Sequence, residues 1–109
     1  MDAVTAISGS GPAYVFYFLE AMQQAALELG LDEDQAKALS LQTFIGASKL
    51  AEKSHESPTT LRDQVTSKGG TTEQAILTME SGGVKSSIIK AAKAAASRSE
   101  ELGDMLGKD

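Results

Sequence analysis

The sequence predicts an all-α fold, a bundle of about five helices, on three observations. Helix-start signatures recur along the chain at Gly11-Pro12, Asp32 with Gln35, Ser57-Pro58 and Thr71 with Gln74. Apolar residues at three- and four-residue spacing follow the starts, and glycines or polar loops close them. No segment reads as a strand, and there is neither a helical repeat of fixed period nor a low-complexity tract.

Each helix has its own justification. Ser8-Gly9-Ser10-Gly11-Pro12 reads as a loop leading into helix one, with Ser10 or Gly11 as cap and Pro12 at the first helical position. That helix runs to about Leu29, and Gly30 suits the left-handed residue beyond its last turn. Residues Ala13 to Leu19 are apolar on every face, the pattern of a helix surrounded by protein; Pro12 and the continuation into Glu20-Ala21-Met22 argue against a strand. Asp32 and Gln35 make a capping box for helix two, with Leu31 placed to staple onto Ala36. Ala36, Leu39, Phe44, Ala47, Leu50 and Ala51 form its apolar stripe up to about Lys53, and Gly46 would permit a close helix contact. Ser57-Pro58 opens a short helix carrying Leu61 and Val65 that stops before Lys68-Gly69-Gly70. Thr71 with Gln74 caps a fourth helix to about Glu80, ended by Ser81-Gly82-Gly83. The last helix spans about Val84 to Leu102, its alanines thin enough for another helix to approach closely, and the tail after Gly103 is expected to fray.

Composition bounds the function. The 109 residues have no stretch of linker composition, so residues 1–109 read as one domain. A domain of this size buries only about two-thirds of its unfolded surface, so surplus apolar helix faces call for a partner. A net charge of −5 without clustered Lys or Arg excludes polynucleotide partners. The absence of cysteine removes disulfides and thiolate ligands and fits the cytoplasm. No apolar run approaches the roughly 20 residues of a bilayer span, and no basic segment precedes one as in a signal peptide.

Acid–base or nucleophilic chemistry has few candidates. The one histidine, His55, sits in a polar loop beside Glu56, where a solvated role suits it. Asp32, Glu33 and Asp34 lie where a helix N-terminus favours negative charge, and no constellation has metal-ligand spacing. Thr66-Ser67-Lys68-Gly69-Gly70-Thr71-Thr72 is the informative segment. Two glycines can turn successive N–H groups inward at a helix start, with hydroxyls of Ser67, Thr71 and Thr72 at the rim, which outlines a site for a small carboxylate or phosphate. A plain Gly-Gly turn followed by a threonine cap accounts for the same residues. Ser8 to Pro12 lacks the spacing of a dinucleotide fingerprint and has no strand before it, so it is not a Rossmann turn.

Two stretches together, Thr5-Ala6-Ile7-Ser8-Gly9-Ser10-Gly11-Pro12-Ala13-Tyr14 and Leu61-Arg62-Asp63-Gln64-Val65-Thr66-Ser67-Lys68-Gly69-Gly70-Thr71-Thr72, strongly resemble the C-terminal domain of pyrroline-5-carboxylate reductases. The likeness extends to Gly30-Leu31, Glu80-Ser81-Gly82-Gly83-Val84 and Ser99-Glu100-Glu101-Leu102. It implies an interlocked helical homodimer, similar to the 6-phosphogluconate dehydrogenase C-terminal-domain-like fold, with pairs assembling in some members into decamers of five dimers. It also implies reduction of 1-pyrroline-5-carboxylate to L-proline with NADPH or NADH, the last step of proline biosynthesis, and a Rossmann domain ahead of residue 1 that this chain lacks. The fragment alone is then expected to bind no cofactor and to be inactive.

By matching positions, the resemblance implies that Ser67, Gly69, Gly70, Thr71 and Thr72 hold the substrate carboxylate, largely through N–H groups. Thr72 would also offer its hydroxyl to the ring nitrogen, as the catalytic contact. Ser8 to Tyr14 would lie beside the nicotinamide and the imine ring, with Ser8, Gly9, Ser10, Gly11 and Pro12 on the cofactor, and Gln64 would contact cofactor or substrate. No metal is implied. Lys68 departs from the family, which commonly has proline there. Two rival assignments are a non-catalytic helical dimerisation module and the equivalent domain of another imine or hydroxyacid reductase.

Overall fold

The computed structural model describes residues 1–107, all helices and turns. A short α turn, Asp2–Val4, leads into a π-helical turn, Thr5–Gly9, and five α-helices follow: α1 (Gly11–Glu28), α2 (Glu33–Lys53), α3 (Pro58–Gln64), α4 (Thr71–Ser81) and α5 (Val84–Gly107). They sort into two compact units, one of residues 1–15 with the described residues from 75 onward, the other of Phe16–Gln74. Among the described residues no helix is long and apolar enough to cross a membrane.

In the first unit the helical turns at the N-terminus pack on α5, and the Ser99 hydroxyl donates to Asp2 Oδ1 at 2.8 Å. Where a loop was expected at Ser8 to Pro12, the chain stays helical with an altered ladder. Ser10 N–H reaches five residues back to Thr5 at 2.8 Å, and Ala13 N–H only three back to Ser10 at 3.0 Å. Pro12 accounts for the interruption, since it has no N–H for the Ser8 carbonyl and its ring crowds that carbonyl, so the turn ahead of it widens. Ser10 is the bend between the two helical pieces, Gly11 is the first residue of α1, and Pro12 is the second.

The second unit shows the expected caps. Leu31 N–H bonds Ala26 and Gly30 N–H bonds Leu27, with Gly30 at φ 100°, the paired Schellman closure of α1. Asp32 accepts Gln35 N–H at 2.8 Å and Gln35 returns the bond at 3.1 Å, the capping box of α2. Ser57 accepts Thr60 N–H ahead of Pro58 in α3. Phe18 and Phe44 meet edge to face at 5.7 Å between centroids. No close approach is made at Gly46, where an added Cβ would meet nothing within 4 Å.

At the other end, α5 continues through Gly107 instead of ending near Leu102. The fraying expected after Gly103 is therefore not seen as far as Gly107, and residues 108 and 109 lie outside the described ones.

The core is thin. Among the described residues the buried apolar side chains are Ala6 and Ala36, each 2 % exposed, whereas Phe16 is 66 % and Tyr17 77 % exposed. The protein expected to surround the apolar start of helix one is not supplied by this chain. Leu39, Leu50, Leu77, Ile88 and Ile89 add to the uncovered apolar surface, a pattern of surfaces that associate.

Candidate functional site

The site is built from a tight turn feeding a helix. Gly70 N–H closes the turn on the Ser67 carbonyl at 3.0 Å, and Gly69 within it sits at φ 77°. A positive φ at the third residue of a closed four-residue turn is the type II arrangement, which favours glycine there. Gly70 is constrained differently, because an added Cβ would come within 3.2 Å of the Ser67 carbonyl oxygen. A turn of this type favours proline at its second residue, the position that Lys68 fills. Lys68→Pro is accordingly expected to raise Tm by about 2–5 °C in calorimetry, through a stiffer unfolded chain. A lower Tm would show that position 68 needs a backbone angle proline cannot take.

The helix start differs from the expected capping box. Gln74 N–H bonds the Gly70 carbonyl at 3.3 Å, which makes Gly70 the cap and Thr71 the first residue of α4. The reason is the turn, which already fixes Gly70 in the cap conformation before Thr71 is reached. The reciprocal carboxylate comes from Glu73, whose Oε1 accepts Gly69 N–H at 2.9 Å.

The glycine amides expected to point into an open pocket are thus engaged within the chain, Gly69 by Glu73 and Gly70 by Ser67. The outward N–H groups are those of Thr71, Thr72 and Glu73, the first three of α4, which have no carbonyl a turn behind them. Among the described residues the hydroxyls of Thr71 and Thr72 have no hydrogen-bond partner; Thr72 is half-buried. Ser67 and Lys68 are exposed, and so is Gln64, the last residue of α3. Polar hydrogen-bond donors with a helix dipole behind them can hold a small anion.

Ser8 to Pro12 belongs to the first unit and the turn with Gln64 to the second. Ser8, Gly9 and Pro12 are exposed, Ser10 and Gly11 half-buried, and the Ser8 hydroxyl donates to the Val4 carbonyl at 2.9 Å. Tyr14, at the start of α1, donates its hydroxyl to the Ala6 carbonyl at 2.8 Å. Glu73 and Tyr14 carry structure that sequence reasoning passed over. A glutamate three residues after a glycine cap was a readable signal for Glu73, whereas nothing in spacing alone announces a tyrosine reaching back eight residues.

Other features offer less. His55 lies in the exposed loop between α2 and α3. Among the described residues no three His, Cys, Asp or Glu side chains could hold a metal ion. A groove along α1 is lined by Phe16, Leu19, Glu20 and Gln23 of one helix and so cannot enclose a ligand.

Comparison with known proteins identifies the family and the fold. Residues 1–102 match the family model described as pyrroline-5-carboxylate reductase dimerisation. The chain is 46 % identical to the pyrroline-5-carboxylate reductase of Pseudomonas aeruginosa over 99 % of its own length and 40 % of the relative's. It is also 46 % identical to pyrroline-5-carboxylate reductase 2 of Bacillus subtilis, covering 94 % of this chain and 37 % of that one. Among solved structures, the NADP-bound pyrroline carboxylate reductase of Plasmodium falciparum superposes with a TM-score of 0.91 at 37 % identity, over 94 % of this chain and 42 % of that one. The Coxiella burnetii enzyme gives 0.89 at 48 % identity, over 93 % and 37 %. The chain thus spans about 40 % of the length of the curated relatives it matches. With the match running through both glycine segments and nearly every helix, the chain belongs to the pyrroline-5-carboxylate reductase dimerisation family.

Proposed function

We propose that this chain is the C-terminal helical domain of a cytoplasmic pyrroline-5-carboxylate reductase, reducing 1-pyrroline-5-carboxylate to L-proline with NADPH or NADH as the last step of proline biosynthesis. Within that enzyme it supplies the interlocked homodimer interface, with dimers able to build a decamer, and the site for the substrate carboxylate. The observation that carries the reading is the Ser67–Gly70 turn delivering the N–H groups of Thr71, Thr72 and Glu73 at a helix start, beside a half-buried threonine hydroxyl with no partner.

In this reading the substrate carboxylate sits on those N–H groups, against the wall formed by Ser67, Gly69 and Gly70. Glu73 must then either stay on the Gly69 amide as a fixed neighbour or yield it to the substrate. The Thr72 hydroxyl faces the ring nitrogen, orients its C=N bond and donates to the lone pair that forms on nitrogen as the hydride arrives. Reduced nicotinamide dinucleotide supplies the hydride. As the carbon of that bond gains the hydride, its π electrons settle on nitrogen, which leaves as a neutral or reprotonated amine. Little is asked of a protein base, because position and charge compensation carry such a transfer.

The residues present fit the nicotinamide end of the cofactor and no more. Gly9 and Pro12 are exposed and uncharged, as a ring edge requires. The described residues contain no strand–turn–helix unit for a pyrophosphate. A preceding nucleotide-binding domain would therefore be essential.

The test is an assay of NADPH oxidation with the imine. The chain alone should show no turnover, and the chain joined to a nucleotide-binding domain of the family should turn over. Activity of the chain alone would overturn this division of labour, and a joined enzyme that reduces other imines or hydroxyacids in preference would move the assignment to a sister reductase.

A further inference from the structure

We propose that Tyr14 is a positioning residue: its hydroxyl locks the π turn Thr5–Gly9 and so sets where Ser8 to Pro12 present themselves to the nicotinamide. The first half of this statement stands on the geometry, and the second rests on the function proposed above.

In an uninterrupted α-helix the Ala6 carbonyl would receive the N–H of Ser10. That N–H is diverted to Thr5, at 2.8 Å. The phenol of Tyr14 donates to the Ala6 carbonyl instead, at 2.8 Å, across the Ser10 bend. Ala6 is 2 % exposed, so water has almost no access to replace the phenol. A buried carbonyl left short of a donor is costly, which makes the altered ladder conditional on Tyr14.

Further contacts brace the same turn. Ser8 gives its hydroxyl proton to Val4 at 2.9 Å. Gly9 faces the Thr5 methyl, which a Cβ there would meet at 3.5 Å. Among the described residues the tyrosine gives the side-chain hydrogen bond that ties the turn to α1, and α1 begins with Gly11 and Pro12, two of the residues assigned to the cofactor. Single π turns are frequent at functional sites because they re-aim the residues around them. Here the re-aimed residues are the exposed Ser8 and Gly9.

Tyr14→Phe removes the hydroxyl and keeps the ring. Amide hydrogen exchange measured by NMR on the chain should show the Ser10 amide exchanging on the order of tenfold faster, with amides inside α2 unchanged. In a reductase joining this chain to a nucleotide-binding domain, the same variant should raise the dinucleotide KM on the order of tenfold, with the imine KM within about twofold. Should Tyr14→Phe not fold, 3-fluorotyrosine provides the converse probe: a stronger phenol donor should slow Ser10 exchange, and Tyr17, which makes no such bond, is a silent second label. Unchanged Ser10 exchange in both would refute the lock whatever the enzyme does. Faster exchange with unaltered dinucleotide kinetics would refute the positioning role. If the unmodified joined enzyme fails to reduce the imine, the proposed function is what has failed, and the exchange result still decides for or against the lock.

Discussion

Thr72→Ala, in a reductase carrying this chain, is expected to lower kcat on the order of tenfold or more, with a smaller change in the imine KM. The hydroxyl has no partner among the described residues and belongs to the second residue of α4, so its removal breaks no contact of the fold. Alanine is also the better helix former, so Tm should hold or rise slightly, which separates lost chemistry from lost structure. The split between kcat and KM follows from where the bond forms: the carboxylate contacts bind substrate and transition state alike, whereas the contact to nitrogen strengthens as the C=N electrons arrive there. Steady-state kinetics decide the matter. An unchanged kcat would remove Thr72 from the reaction and favour a purely structural role for the Gly69-Gly70 turn.

Phe16→Asp should disassemble the dimer. Phe16 lies 66 % exposed within the chain, next to Tyr17 at 77 %, in the Ala13 to Leu19 stretch of α1 that is apolar on every face. A twofold interface presents each residue twice, so one substitution places two carboxylates in apolar surroundings, each costing roughly 2 kcal/mol or more if left unpaired. The dimer Kd should then rise by a factor on the order of a thousand, visible in sedimentation as a shift from dimer to monomer at micromolar concentration. An unshifted dimer would place the interface elsewhere on the chain, with Ile88 and Ile89 of α5 the next surface to test.

Local chemistry made most of the helices legible in the sequence. The Asp32–Gln35 box, the Gly30 closure and the Ser57-Pro58 start are each decided by residues within about one turn of one another, and each is present as expected. The failures occur where two local devices compete. Thr71 has the composition of a cap, but the closed turn at Ser67–Gly70 fixes the cap one residue earlier. The Ser8 to Pro12 segment has the composition of a loop, but the packing of the N-terminal turns on α5 and the Tyr14 bond keep it helical. Both are longer-range effects than a pattern of neighbours can report. The candidate site was legible as a glycine pair before a helix, yet which amides it leaves open was not, because that depends on the rotamer of Glu73. How far the apolar surface would be left uncovered could be guessed from length and composition, though not which faces.

The π turn also sets a register. An α-helix advances about 100° per residue, so one residue more in a single turn rotates everything ahead of it by roughly that angle relative to an unbroken helix. Ala6 owes its inward azimuth to this rotation. Closing the same residues into ordinary α pitch would swing the bulkier Ile7 toward α5 in its place, whereas removing one residue from the turn would close the pitch and leave Ala6 facing inward.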